Sequence, residues 1–274
     1  MSSSNGERRT PASYGLVEGF EFPARRFAIG RDFQVAKLEC CGIAPALYGD
    51  RLDITLLGFP VLEAMLESGL ELTGMVHMFQ RFRQSRPLGL DTPLSQTGRI
   101  TRIEPHAKGH VIRSAFDFEA EDGGRPLSIE RASLLPGPAP DGAPGGAADR
   151  PADTIESFTA LSSTRLIPEL VARYTDEAGN LIHSDPEVAR QYGFRAPIAA
   201  GLMGVQLLLA ALVDGAPPEA LDISIWFKRP MFWDDRLTVL AKRQGGQITD
   251  LRLQNDEGKA TSLARIDAIT RPRA

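Results

Sequence analysis

The stretch GNLIHSDPEVARQYGFRAPIAAGLM, from Gly179 to Met203, carries one histidine, an acid two residues beyond it and the start of a long apolar run. A neutral imidazole takes or gives a proton near neutrality because its unperturbed pKa is about 6.5. His183 is therefore the first candidate for acid–base chemistry. Asp185 is a good N-cap, Pro186 a good first helical residue, Glu187 favours the positive end of a helix, and Gly193 can close it. This short helix and a preceding one, IPELVARYTDEA with Pro168 and Glu169 in its first turn, leave His183 in a tight loop that can face a cavity. The plainer reading is a loop histidine capping a backbone group; its place just ahead of the apolar run favours chemistry. That run opens on Ala200-Gly201. A helix N-terminus offers unsatisfied N–H groups and a positive dipole end to a negative oxygen. Gly201 has no Cβ, which allows either close approach of a ligand atom or tight packing of helix on sheet.

The rest of the chain must position these groups. At 274 residues and 42% hydrophobic content it can bury one large domain or two, and disorder is excluded. Its 31 basic and 35 acidic residues are dispersed, with a net charge of -4, so no electrostatic footprint for nucleic acid exists. The run RFRQSR, Arg81 to Arg86, reads as a solvated face. The start, MSSSNGERRT, lacks the apolar stretch of a secretory signal, and a cytoplasmic protein is expected. Cys40 and Cys41 are adjacent, a poor arrangement for a disulfide, and the four histidines have no metal-ligand spacing. Free thiols, no metal and no cofactor are expected. The segment PIAAGLMGVQLLLAALV, Pro197 to Val213, is shorter than the roughly 20 residues of a spanning helix and carries Gln206, which makes it a buried helix rather than a membrane segment.

A Pro/Gly/Ala/Asp segment at 136–153 reads as a linker between nearly equal halves. Each half repeats a pattern: a Pro-initiated apolar helix (Gly58 to Gly74; Phe194 to Gly215), then strands with glycine-containing turns. Pro60 and Pro197 are separated by almost the same distance as Gly123 and Gly258. The expected organisation is a flexible tail at 1–16, a first repeat at 17–135, the linker, and a second repeat at 154–274. Each helix is expected to run about five turns, and a helix apolar on nearly all sides must be surrounded. An antiparallel sheet curling around it is the simplest solution. LDISIWFKRPMFWDDRLTVLAKR should be two strands broken at Arg229-Pro230.

The residues YTDEAGNLIHSDPEVARQYGFRAPIAAGLM resemble the signature of MaoC-like, (R)-specific enoyl-CoA hydratases, in which Y-x-x-x-[SA]-G-D-x-N-P-[IL]-H-x-D precedes a short helix and G-F-x-x-P-I-A-H-G-M. FKRPMFWDDRL is similar to that family's F-x-x-P-V-x-x-G-D-x-L strand pair. YGDRLDITLLGFPVLEAML in the first half is a weak echo, with no histidine in the corresponding loop, so that half should be non-catalytic. The resemblance implies an α+β double hot-dog, an antiparallel sheet wrapped around a long central helix in each repeat, and often a homodimer. It implies hydration or dehydration of an acyl-CoA or acyl-carrier thioester. His183 stands at the catalytic histidine, Gly201 at the glycine whose N–H faces the thioester oxygen, and Tyr174, Ile198 and Ala200 in the substrate-binding surroundings. Two positions depart from the pattern. Asn180 fills the catalytic aspartate position, with two residues missing before Ile182-His183, and Ala200 replaces the histidine of P-I-A-H-G-M.

Such a reaction needs a water activated for attack at C3, a proton delivered to C2 and a stabilised thioester oxygen. His183 suits the proton transfers. Asn180 can orient a water but accepts no proton at neutral pH. Asp176 or Glu177 could supply the missing acid, although both also read as solvated residues of a last turn. Lys228 and Arg229 could meet the phosphates of a CoA-type carrier. The aromatics around them, Trp226, Phe227, Phe232 and Trp233, and the histidines His77, His106 and His110 read as packing or surface residues. A binding protein without turnover is the alternative that Asn180 raises. A thioesterase, needing an acid on a central helix, would have only Glu63.

Overall fold

The computed structural model describes residues 10–70, 72, 74–140, 142, 151, 154–176 and 179–272. The first half supplies β1 (Glu21–Phe27), β2 (Val76–Gln84), β3 (Leu94–His106), β4 (Gly109–Ala120) and β5 (Leu127–Pro136). The second supplies β6 (Phe158–Arg165), β7 (Ala220–Phe227), β8 (Arg236–Gln244), β9 (Gln247–Gln254) and β10 (Ala260–Thr270). All ten form one antiparallel sheet in the order β1-β3-β4-β5-β2-β7-β10-β9-β8-β6. Read from either edge inward, each half uses its strands in the same order, so the sheet carries a pseudo-two-fold relation centred on the β2–β7 pair. The break expected at Arg229-Pro230 falls between β7 and β8.

Among the described residues five α-helices lie with the sheet: α1 (Arg31–Cys40), α2 (Gly58–Glu67), α3 (Pro168–Tyr174), α4 (Pro186–Gln191) and α5 (Gly201–Ala210). The central helices α2 and α5 have ten residues each, not the five turns expected. The segment before α5 is extended because its backbone is already used. Ala199 N donates to Met231 O at 2.8 Å, and Ile198 bridges to Phe232. Helix α5 is enclosed, with Leu202 through Leu209 all buried. Its one polar side chain is satisfied: Gln206 Nε2 donates to Asp53 Oδ2 at 2.8 Å, and Cys41 Sγ donates to Gln206 Oε1 at 3.1 Å. Cys40 and Cys41 are both free thiols. Helix α2 is covered on one side only. Glu63 and Glu67 are exposed and pair with Arg25 of β1, so the acid that a thioesterase would need points away from the core.

A flexible tail is expected at 1–16. Residues 1–9 lie outside the described residues, but Pro11–Tyr14 form a turn capped by Thr10, and Leu16 is buried. Most of the linker expected at 136–153 also lies outside the described residues. The arginines of RFRQSR are a paired, partly solvated face: Arg81 forks onto Asp222 of β7 with two bonds of 2.7 Å, Arg83 meets Glu130, and Arg86 meets Asp122. Among the described residues no helix is long and apolar enough to cross a membrane.

The two repeats meet through their helices as well as through the sheet. Lys37 of α1 is buried over the rings of Phe33, Phe59 and Tyr174 and donates to Tyr174 O at 2.8 Å, tying α1 to the end of α3. At the start of α2, a Cβ on Gly58 would stand 2.7 and 2.9 Å from the Leu202 methyls of α5. Gly58→Ala therefore forces a buried leucine to move, and we expect a loss of about 1–3 kcal/mol in urea unfolding with an unchanged m-value. A loss below about 0.5 kcal/mol would show that the two helix starts are loosely packed.

Candidate functional site

The loop ahead of α4 is built by short-range side-chain bonds. Asn180 Oδ1 accepts from Ile182 N at 3.3 Å and caps a single 3-10 turn, Leu181–His183. Asp185 Oδ1 then accepts from Glu187 N at 2.7 Å and Val188 N at 3.3 Å, capping α4 as the sequence predicts. Gly179 and Gly193, at φ 59° and 80°, occupy the left-handed backbone region at either end.

Two hydrogen bonds then clamp this loop onto the segment that enters α5. Ile198 N donates to Ile182 O at 3.2 Å, and the His183 ring meets Ile198 O through Nδ1 at 2.7 Å. A carbonyl oxygen only accepts, so Nδ1 carries the hydrogen. In the neutral ring Nε2 is then the bare acceptor. Burial pushes the His183 pKa below the usual histidine value, and the bond to Ile198 O partly offsets that push. The ring is thus neutral at pH 7 and has the lone pair of a base. The plain reading, a ring bonded to a backbone group, is met through Nδ1.

Gly201, three residues beyond Ile198, begins α5. A Cβ there would lie 3.1 Å from Phe227 Cε1 and 3.3 Å from His77 Nδ1, so the glycine serves close packing at the helix start. His77, expected as a packing or surface residue, packs here. It comes from β2 of the first repeat, and its ring lies 4.2 Å from that of Phe227, beside the start of α5. Its Nε2 is buried with no partner among the described residues. Burial, and then the nearby Arg131 cation, hold its pKa well below the ordinary histidine range.

Other expected residues are more dispersed. Ala200 is the N-cap of α5 and Ile198 supplies the carbonyl just described. Asp176 is exposed at the end of α3, and Glu177 lies outside the described residues. Tyr174 is wholly buried in the Lys37 cluster, its ring 5.5 Å from Phe59. Lys228 Nζ donates to Pro151 O at 3.3 Å and Arg229 to Ala260 O at 2.8 Å. His106 Nδ1 accepts from Lys108 N, and His110 Nδ1 is buried without a partner among the described residues. A crevice lined by Tyr48, Asp53, Leu209 and Val213 lies toward the other end of α5, roughly 12 Å along the helix from Gly201 at 1.5 Å per residue.

No family model and no curated sequence matches the chain; the likeness lies in structure. HtdX from Mycobacterium tuberculosis superposes with a TM-score of 0.73 at 20% identity, covering 89% of this chain and 98% of that one. A MaoC-like dehydratase from Phytophthora capsici gives 0.67 at 16%, covering 92% and 96%. An acyl-ACP thioesterase from Bacteroides thetaiotaomicron gives 0.57 at 8%, covering 89% and 96%. The chain has the α+β double hot-dog fold that MaoC-like dehydratases also have.

His77 sets an expected pH response. Its folded pKa lies below the unfolded value, so the unfolded chain binds the proton first. The stability it contributes is complete above about pH 6.5 and is lost as pH falls from there toward the folded pKa. Thermal unfolding of His77→Leu and the unsubstituted protein at about pH 7.5 and about pH 5.5 should show the smaller acid shift in the variant. Equal shifts would mean that His77 titrates freely.

Proposed function

We propose that the protein is a hydro-lyase that adds water to, or removes it from, the C2–C3 bond of an acyl thioester. The observation that carries this reading is the 2.7 Å bond from His183 Nδ1 to Ile198 O of the segment leading into α5, which leaves Nε2 as a neutral base. In hydration, Nε2 takes a proton from water as the hydroxyl oxygen bonds to C3. The C2–C3 π electrons move toward the thioester, whose oxygen gains negative charge at the N-terminus of α5. The same Nε2–H then delivers its proton to C2, which restores the neutral imidazole and completes the addition of one water. Asn180 holds the turn that presents His183, since its Oδ1 is bonded to Ile182 N. The fold shared with MaoC-like dehydratases supports the substrate class.

His183→Gln should lower hydration of a short enoyl thioester by about 100- to 10,000-fold, read as loss of enoyl absorbance, with near-wild-type unfolding. Absence of any hydration or dehydration by the unsubstituted protein, over enoyl and 3-hydroxyacyl thioesters of several lengths, would contradict the reading.

A second reading draws on a specific feature. Among the described residues no side-chain carboxylate bonds to His183, and the side chain at the family's aspartate position is engaged in a cap. A protein that binds acyl thioesters without turning them over would have these properties. Saturable binding with no product, unaltered in His183→Ala, selects it. Release of free thiol instead of addition of water would select thioester hydrolysis, for which the outward-facing Glu63 offers no acid.

A further inference from the structure

On β5, Ile129 and Leu135 are fully buried in the main core, whereas Ala132 and Leu134 belong to a separate apolar cluster with Met78 and Val111. Strand alternation therefore turns Arg131 and Ser133 toward the helix-covered face. Their cross-strand partners share that face: Gln80 and Ser114 flank Arg131, and His77 sits opposite Ser133. The result is a polar strip on the helix-covered face of the sheet, starting at the His77 ring beside Gly201.

Arg131 is 8% exposed, and its Nε donates to Ser133 Oγ at 3.0 Å. Among the described residues no carboxylate lies within ion-pair distance of it. Burial lowers its pKa only to about 10, so it keeps its charge at neutral pH. Gln80 Oε1 and His77 Nε2, both buried, also have no partner among the described residues. A desolvated cation without a counter-charge is costly, and native interiors retain such groups when something else completes them. A guanidinium fork selects a carboxylate.

We propose that Arg131, with Gln80 and Ser114 beside it, binds a carboxylate at the far end of the acyl group, so that the thioester handled here is a monothioester of a short dicarboxylic acid. The inference rests on reading the start of α5 as the thioester end of the site. Arg131 lies two residues, about 7 Å of strand, from Ser133 opposite His77, which suits an acyl chain of a few carbons between thioester and carboxylate.

The test is calorimetric binding of the CoA thioesters of adipic and hexanoic acid, saturated pairs of equal chain length that cannot be hydrated. The adipyl thioester should bind about 10- to 100-fold more tightly to the unsubstituted protein. Arg131→Met should remove that advantage, and Arg131→Lys should retain part of it. Should Arg131→Met not fold, Gln80→Leu is expected to reduce the same ratio. Equal binding, tighter hexanoyl binding, binding of neither, or an adipyl advantage that survives both Arg131→Met and Gln80→Leu would overturn the proposal. Because no turnover is needed, an adipyl advantage without hydration of 2,3-dehydroadipyl thioester would leave the carboxylate site standing while removing the hydro-lyase reading.

Discussion

The bond between His183 Nδ1 and the carbonyl of Ile198 fixes the tautomer of the ring and, together with the Ile182–Ile198 backbone bond, the position of its loop relative to α5. A ring held through Nδ1 can act only through Nε2. The clamp in turn depends on the extended run from Pro197 to Ala200, which is held against Met231 and Phe232 before the helix starts. Were that run helical, Ile198 O would be drawn into the helical ladder. The shortness of α5 is thus a condition of the site.

The second repeat alone would not supply this environment. Residues of the first repeat reach α5 across the seam: Asp53 and Cys41 bond to Gln206 inside the helix, Gly58 packs against Leu202 at the helix start, and His77 lies beside Gly201. The Asp53 carboxyl has its pKa raised by complete burial, with the Thr55 N–H and Gln206 acting in the opposite direction. Such bonds specify how the repeats join more than they stabilise the join, since most of the electrostatic gain is offset by desolvation. Hydrophobic closure of the sheet around α5 supplies the larger driving force.

Local signals carried the part of the site that is local. The Asp185-Pro186-Glu187 cap, the strand break at Arg229-Pro230 and the enclosure of the apolar segment around Gln206 are all written in neighbouring residues, and they appear as read. Helix lengths were less legible, because Pro197 to Ala200 are as apolar as the helix that follows and only the distant partners Met231 and Phe232 mark them as extended. The facing of His77 and Arg131 was hidden for a different reason. Each sits in a strand whose alternation looks ordinary, and a β-bulge between His77 and Phe79 shifts the facing of the strand start. Tyr174 illustrates the reverse: a motif position whose ring is consumed by packing on Lys37 and Phe59.

The central claim is a neutral His183 whose bare nitrogen is Nε2. Nitrogen-15 NMR of histidine-labelled protein at neutral pH, with His183→Gln used to assign the signal, reads this directly. The account predicts a protonated Nδ1 and an unprotonated Nε2 that retains its lone pair below the ordinary histidine pKa. A His183 ring that is doubly protonated at neutral pH, or one protonated on Nε2 instead, would contradict it.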